Sequence, residues 1–197
     1  IAKNQKIYLI DTNMNVQFAG SITENKEITE TLIDGEHILH NKSGTFINLY
    51  AAFDIYYLNG KDVRSLPFTS SESVTVSEGD REKYRLIILN DVVKRRINAV
   101  SIVNKAETTL RIEAKIFHLG SQSMSIFKKC GEILNNPGLY EYETDGLIFT
   151  PADFAVGADN KNDNEDKPFK KSWNHSFKWK PPQYNTIDFL VSVKTLP

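Results

Sequence analysis

The sequence predicts an α+β fold, with antiparallel sheets carrying most of the chain and helices packed outside them. Three observations carry that prediction. Short β-rich runs recur from end to end, separated by Asn, Asp, Gly and Pro turn signals. Only two segments show apolar residues at helical spacing. Aromatic residues are plentiful, with 11 Phe and 8 Tyr among 197 residues, a composition that suits pleated surfaces.

The elements follow in order. Ile7-Tyr8-Leu9-Ile10 is a strand, Asp11-Thr12-Asn13 a turn, and Val16-Gln17-Phe18-Ala19 the returning strand. A short strand is expected over Glu30–Leu39, interrupted by Asp34-Gly35. After the turn Asn41-Lys42-Ser43-Gly44, the apolar run Thr45–Leu58 reads as a buried central strand that Asn59-Gly60 closes into a tight hairpin. Ser77–Asn98 reads as a helix: Tyr84, Ile87, Ile88, Val92 and Ile97 recur at helical spacing, and Ser77 and Asp80 offer N-terminal caps. Its basic end, Lys94-Arg95-Arg96, suits a solvated last turn favoured by the helix dipole.

Strict alternation over Thr109–Phe117 predicts a half-exposed strand, with Leu110, Ile112, Ala114 and Ile116 on one face and Arg111, Glu113 and Lys115 on the other. A second helix is expected over Ser123–Asn135, with Phe127, Cys130, Ile133 and Leu134 on one side, ended by Pro137-Gly138. Glu143–Thr150, His175–Lys180 and Thr186–Val193 read as strands. The charged, Asn-rich stretch Asp159–Lys171 reads as a surface loop.

Composition narrows the chemistry. The formal net charge is -1, so any nucleic-acid contact must come from a local basic surface. One cysteine excludes an internal disulfide and, with four scattered histidines, a thiolate zinc site. Cys130 reads as a small buried hydrophobe. No apolar run is long enough to span a membrane, and a reducing intracellular compartment is the default.

Four clusters stand out: Leu32–Glu36, Ala51–Gly60, Thr144–Phe149 and Phe177–Pro182, the last followed by Asn185–Phe189. Taken singly, each has a plain structural reading. Asp34-Gly35 and Asp145-Gly146 can close hairpins, Phe53 can be core, and Lys178 and Lys180 can line a solvent-facing edge with Trp179 buried behind. Taken together, they compose a nucleotide site. Two lysines two apart on a strand project in parallel and can hold successive phosphates. Glu36 and Asp145 can hold a divalent metal or ribose hydroxyls. Phe53 can stack on a purine, and the glycines allow close backbone approach. No serine, histidine or cysteine triad and no Gly-x-x-x-x-Gly-Lys-[Ser/Thr] loop is present.

These clusters, in this order, resemble the motifs of the covalent nucleotidyltransferases, the capping guanylyltransferases and the DNA and RNA ligases. Asp145-Gly146-Leu147-Ile148-Phe149-Thr150-Pro151 and Lys178-Trp179-Lys180-Pro181-Pro182, with Asn185-Thr186-Ile187-Asp188-Phe189, are similar to the mRNA-capping versions; so is Ile7–Gly20. Residues 69–140 are only loosely similar. The resemblance implies a nucleotidyltransferase domain whose antiparallel sheets form a nucleotide cleft with flanking helices. It implies transfer of GMP from GTP, through a lysyl-GMP intermediate and with Mg²⁺ or Mn²⁺, to the diphosphate 5′ end of nascent RNA. Within it, Asp145, Lys178 and Lys180 are the catalytic candidates. Glu36, Phe53, Lys178, Lys180 and Asp188 would bind substrate, and Glu36 and Asp145 would hold the metal.

No Lys-x-Asp-Gly occurs in the sequence. The family places that motif just upstream of the strand near Lys6, so it is expected to precede Ile1, and an OB-fold is expected to follow Pro197. Residues 1–197 are therefore expected to form an incomplete nucleotidyltransferase domain, inactive alone. Its longer parent would carry triphosphatase and methyltransferase domains. Asn, Lys and Ile richness points to an AT-rich genome, such as that of a large DNA virus or a protist. The expected location is the nucleus for a cellular protein, and the host cytoplasm, viral factory or virion for a viral one. Two rival readings are an ATP-dependent ligase adenylation domain and a non-catalytic nucleotide- or RNA-binding module.

Overall fold

A computed structural model describes residues 1–70, 82–103, 109–120, 124–159, 173–187 and 189–192. Strands β1 (Lys6–Ile10) and β2 (Val16–Thr23) form an antiparallel pair, and β6 (Ala99–Ser101) adds to β2. The turn between β1 and β2 is built on Asp11, whose carboxylate accepts from the backbone amides of Asn13 and Asn15, each at 2.8 Å. Strand β6 departs from the expectation of a helix running to Asn98 with no strand after it. Ser101 pairs with Ser21, and Ala99 with Thr23.

The second sheet is built on β4 (Phe46–Leu58). Strand β3 (Leu32–His40) runs antiparallel along one edge. Two short strands share the other edge: β5 (Lys61–Asp62) pairs with Tyr57 and Leu58, and β7 (Arg111–Ala114) pairs in parallel with Leu49–Ala52. Asn59 and Gly60, at φ 51° and 78°, form the two-residue hairpin that the sequence signals. Asp34-Gly35 neither interrupts nor turns β3, which runs through them with a register shift. Opposite that shift, Asp34 pairs with Asp54 and Gly35 with Ala52, which leaves Phe53 as the extra residue of a β-bulge.

Both faces of β4 are covered. On one, Ala52 and Ile55 pack with Val63, Ile88, Leu89, Val92 and Val93. On the other, Ile47, Leu49 and Ala51 pack with Tyr142. This explains why β4 reads as a continuous apolar run. Leu89 and Val92 are fully buried, and burial of such side chains stabilises by about 1.5–3 kcal/mol each.

The first helix is shorter than its periodicity implies. Helix α1 spans Arg85–Asp91, with Tyr84 as an extended N-cap lacking a side-chain cap; Ser77 and Asp80 lie outside the described residues. It continues as a π-helical turn, Val92–Arg96, closed by the Ile97 amide donating to the Val92 carbonyl at 2.9 Å. Arg95 and Arg96 reach back to Asp91, the solvated end expected of this cluster.

Helix α2 (Ile126–Leu134) is capped by Ser125, whose hydroxyl accepts from the Lys128 amide. It buries no residue: Phe127 is 81% exposed, and Cys130 is half-buried, not a core hydrophobe. The third sheet pairs β8 (Leu147–Phe149) with β9 (Phe177–Trp179) in antiparallel register. The strand expected over Thr186–Val193 is irregular at its described residues, beyond a 3₁₀ turn at Pro182–Tyr184. Most of the Asp159–Lys171 loop lies outside the described residues.

Candidate functional site

The predicted site residues fall into two groups, each organised by one lysine and one carboxylate. The first lies on the β4 sheet. Glu36 sits opposite Ala51 in the ladder, and Phe53 projects from the bulge two residues on. Between them stands Lys115, one residue past β7, its backbone amide donating to the Ala52 carbonyl at 2.7 Å. Its ammonium lies 2.9 Å from Glu36 Oε2, 5.8 Å from the Phe53 ring centre and 5.9 Å from that of Tyr142. A cation over two ring faces and beside a carboxylate is held on three sides. Glu36 remains 60% exposed, so its outer oxygen is open to a ligand.

Tyr142 closes this group from below. It is buried and stacked at 5.4 Å on Tyr140. Burial pushes its phenol up to about 12, reinforced by Tyr140, Glu36, Glu113 and Glu141, so it remains a neutral hydroxyl at physiological pH.

The second group lies on the β8–β9 pair. Lys178 is opposite Ile148, and Lys180 follows one residue after β9 ends. The Lys180 ammonium reaches Asp145 Oδ2 at 2.5 Å. That hydrogen bond, with the charges of Lys180 and Lys178, holds the Asp145 carboxyl below its ordinary value. Both lysines therefore act on one carboxylate. Asp145-Gly146 does not close a hairpin. Gly146 has φ +154°, and a Cβ there would lie 2.0 Å from the Trp179 carbonyl oxygen. Glycine is required so that this backbone can approach β9, not a ligand. Trp179, expected to be buried behind the lysines, is 43% exposed. Asp188 lies outside the described residues.

The structure thus brings Glu36 together with Phe53, and Asp145 with Lys180, on separate sheets. No cluster of three or more metal-ligating side chains occurs among the described residues. Glu36 and Asp145, each exposed and paired with a lysine, nevertheless fit Mg²⁺ or Mn²⁺, which take one or two protein oxygens and complete their shell with water and substrate phosphates.

Sequence reasoning misses Lys115, Tyr142 and Arg85. Alternation puts Lys115 on the polar face of its strand, but nothing there points to Glu36. Arg85 is readable as the first member of the buried stripe Arg85, Ile88, Leu89, Val92, an arginine at i, i+3, i+4, i+7 spacing with apolar residues.

The described sheets, mostly antiparallel, carry two lysine–carboxylate groups. The chain belongs to the family described as mRNA capping enzyme, catalytic domain, whose match covers residues 1–182. It is 26% identical over 219 aligned residues to a probable mRNA-capping enzyme of Acanthamoeba polyphaga mimivirus, across 97% of this chain. It is 24% identical over 166 residues to the mRNA-capping enzyme of Danio rerio, across 84% of this chain. The chain spans only 18% and 23% of the lengths of those two relatives.

Proposed function

We propose that this chain is the nucleotide-binding body of an mRNA guanylyltransferase, part of a longer protein that transfers GMP from GTP to the diphosphate 5′ end of RNA. The family match over residues 1–182 carries the reading. The two lysine–carboxylate groups support it chemically.

In this reading, Phe53 stacks on guanine and Glu36 takes the ribose hydroxyls or the metal. Lys178 and Lys180 hold the phosphates and stabilise the charge that develops as pyrophosphate leaves. Asp145, already paired with Lys180, serves the metal side and the nucleophile. Asp188 adds an acidic contact to the substrate. Mg²⁺ or Mn²⁺ would supply Lewis-acid neutralisation of the phosphates, held by Glu36 and Asp145. The nucleophile is a lysine of a Lys-x-Asp-Gly motif upstream of Ile1. In this reading the OB-fold, triphosphatase and methyltransferase parts belong to the longer protein. The parent acts inside the cell, in the nucleus or, for a viral protein, in the host cytoplasm, viral factory or virion.

The test is covalent labelling of the polypeptide extended upstream through that motif. With GTP radiolabelled at the α-phosphate and Mg²⁺ or Mn²⁺, a GMP adduct that is stable to alkali and labile to acid is expected, and Lys180→Ala should abolish it while the circular dichroism spectrum is preserved. Labelling by ATP alone would identify a ligase-type adenylation domain. Absence of any adduct, with nucleotide binding retained, would identify a non-catalytic module.

A further inference from the structure

The two groups sit on different sheets, and one buried side chain joins them. Arg85 is fully buried at the start of α1. Its guanidinium grips Asp54 in bidentate fashion, Nε to Oδ1 at 2.8 Å and Nη2 to Oδ2 at 3.1 Å. Its Nη1 donates to the carbonyls of Leu66 and, at 3.1 Å, Phe154. The Phe68 ring lies under it at 5.5 Å.

Asp54 follows Phe53, the bulged residue. Among the described pairings, neither β5 nor β7 covers residues 53–55 of β4. Asp54 Oδ1 fills in locally by accepting from the Ile55 amide at 2.8 Å. The backbone that aims Phe53 is thus held by a side chain, and that side chain is held by Arg85. At the other end, the ring of Phe154 stacks edge-on against His175 at 5.2 Å, two residues before β9 begins. Two backbone hydrogen bonds, Thr69 to Ala152 at 2.8 Å and Val156 to Arg64 at 2.9 Å, lie beside this junction.

We infer that Arg85 is a positioning residue that fixes the β8–β9 pair, with Asp145, Lys178 and Lys180, relative to the β4 bulge that presents Phe53. Its functional meaning rests on the nucleotidyltransferase reading above; the geometry does not. Lysine cannot replace it. An ammonium has no planar fork with which to satisfy a carboxylate and two carbonyls at once. Its loss would let the nucleoside-side and phosphate-side groups drift apart without removing either.

The test uses spin labels on exposed β3 and β9 positions, Leu39→Cys and Phe177→Cys, in a Cys130→Ser background. Pulsed dipolar spectroscopy on the otherwise native chain should give one narrow distance distribution. Arg85→Lys and Asp54→Asn should each broaden it or add a second population, because the two sheets then lose their shared anchor. In the upstream-extended polypeptide, Arg85→Lys should slow GMP-adduct formation by roughly tenfold to a hundredfold, a larger loss than any in guanosine affinity. An unchanged distribution in the folded variants would overturn the inference whether or not any adduct forms. Should both variants fail to fold, hydrogen exchange on the native chain decides. The Ile55 and Val156 amides should open with one common free energy, and independent opening would overturn the inference. Failure to label with GTP while the distance results hold would count against the guanylyltransferase reading alone.

Discussion

Replacing Gly146 by alanine tests whether the acidic cluster is built around β-strand contact. At φ +154° an L-residue occupies a region reserved for glycine, costing about 1–3 kcal/mol. The new methyl would stand 2.0 Å from the Trp179 carbonyl oxygen. Relief requires β9 to move away from β8 by on the order of 1 Å, loosening a ladder hydrogen bond worth about 1 kcal/mol. The summed penalty is about 2–4 kcal/mol, placed on the β8–β9 pair. Amide hydrogen exchange followed by NMR is the direct assay. At ~2 kcal/mol, protection of Leu147 and Phe149 should fall about 30-fold. Gly44→Ala is the control. Gly44 has φ +80°, and a methyl added there would meet nothing within 4 Å, so its cost is left-handed strain alone, about 1–2 kcal/mol, confined to the 41–45 turn. Native protection across β8–β9 in Gly146→Ala would refute the argument that this glycine serves strand approach.

Two other outcomes follow from the site. Phe53→Ala should weaken GTP binding about five- to 150-fold by calorimetry, because base stacking on an aromatic contributes about 1–3 kcal/mol; unchanged affinity would remove Phe53 from the base site. The Asp145 carboxyl should titrate below its ordinary value of 3.8 in a ¹³C NMR pH series and return towards it in Lys180→Ala. The sign is that of a depressed acid. The pair's stabilisation is present above the unfolded value and is lost as pH falls through the folded one, so it fades only below about pH 4. Both groups are substantially exposed, so its size should not exceed about 1 kcal/mol.

What is legible in the sequence depends on how local its cause is. The hairpin at Asn59-Gly60, the Asp11 turn and the two-faced burial of β4 follow from adjacent residues, and each is readable. The Asp145–Lys180 ion pair joins two of the clusters that stand out in the sequence, because it runs along a two-strand ladder. Long-range placement is not readable. Lys115 meets Glu36 only because β7 pairs in parallel with β4, 79 residues after Glu36. Ala99–Ser101 is a strand because β2 offers an open edge, a tertiary circumstance that no local signal announces. The apolar stripe of α2 misleads in the other direction. Amphipathic spacing announces a face, but only a neighbour can bury it, and among the described residues none buries Phe127.

The parallel pairing of β7 with β4 also sets a timetable. As a ribosome releases the chain, β3 and β4 can zip together as soon as Leu58 is out, a local event across a short turn. The far edge of β4 cannot be completed then. It must wait for Arg111–Ala114, with the whole α1 region threaded between. Pairing a parallel strand across that sequence separation is slow compared with forming a local hairpin. Until it occurs, Leu49–Ala52 present an unpaired apolar strand edge, the kind of surface that recruits other chains. Nascent-chain handling by chaperones is therefore most consequential in the interval between residues 58 and 114.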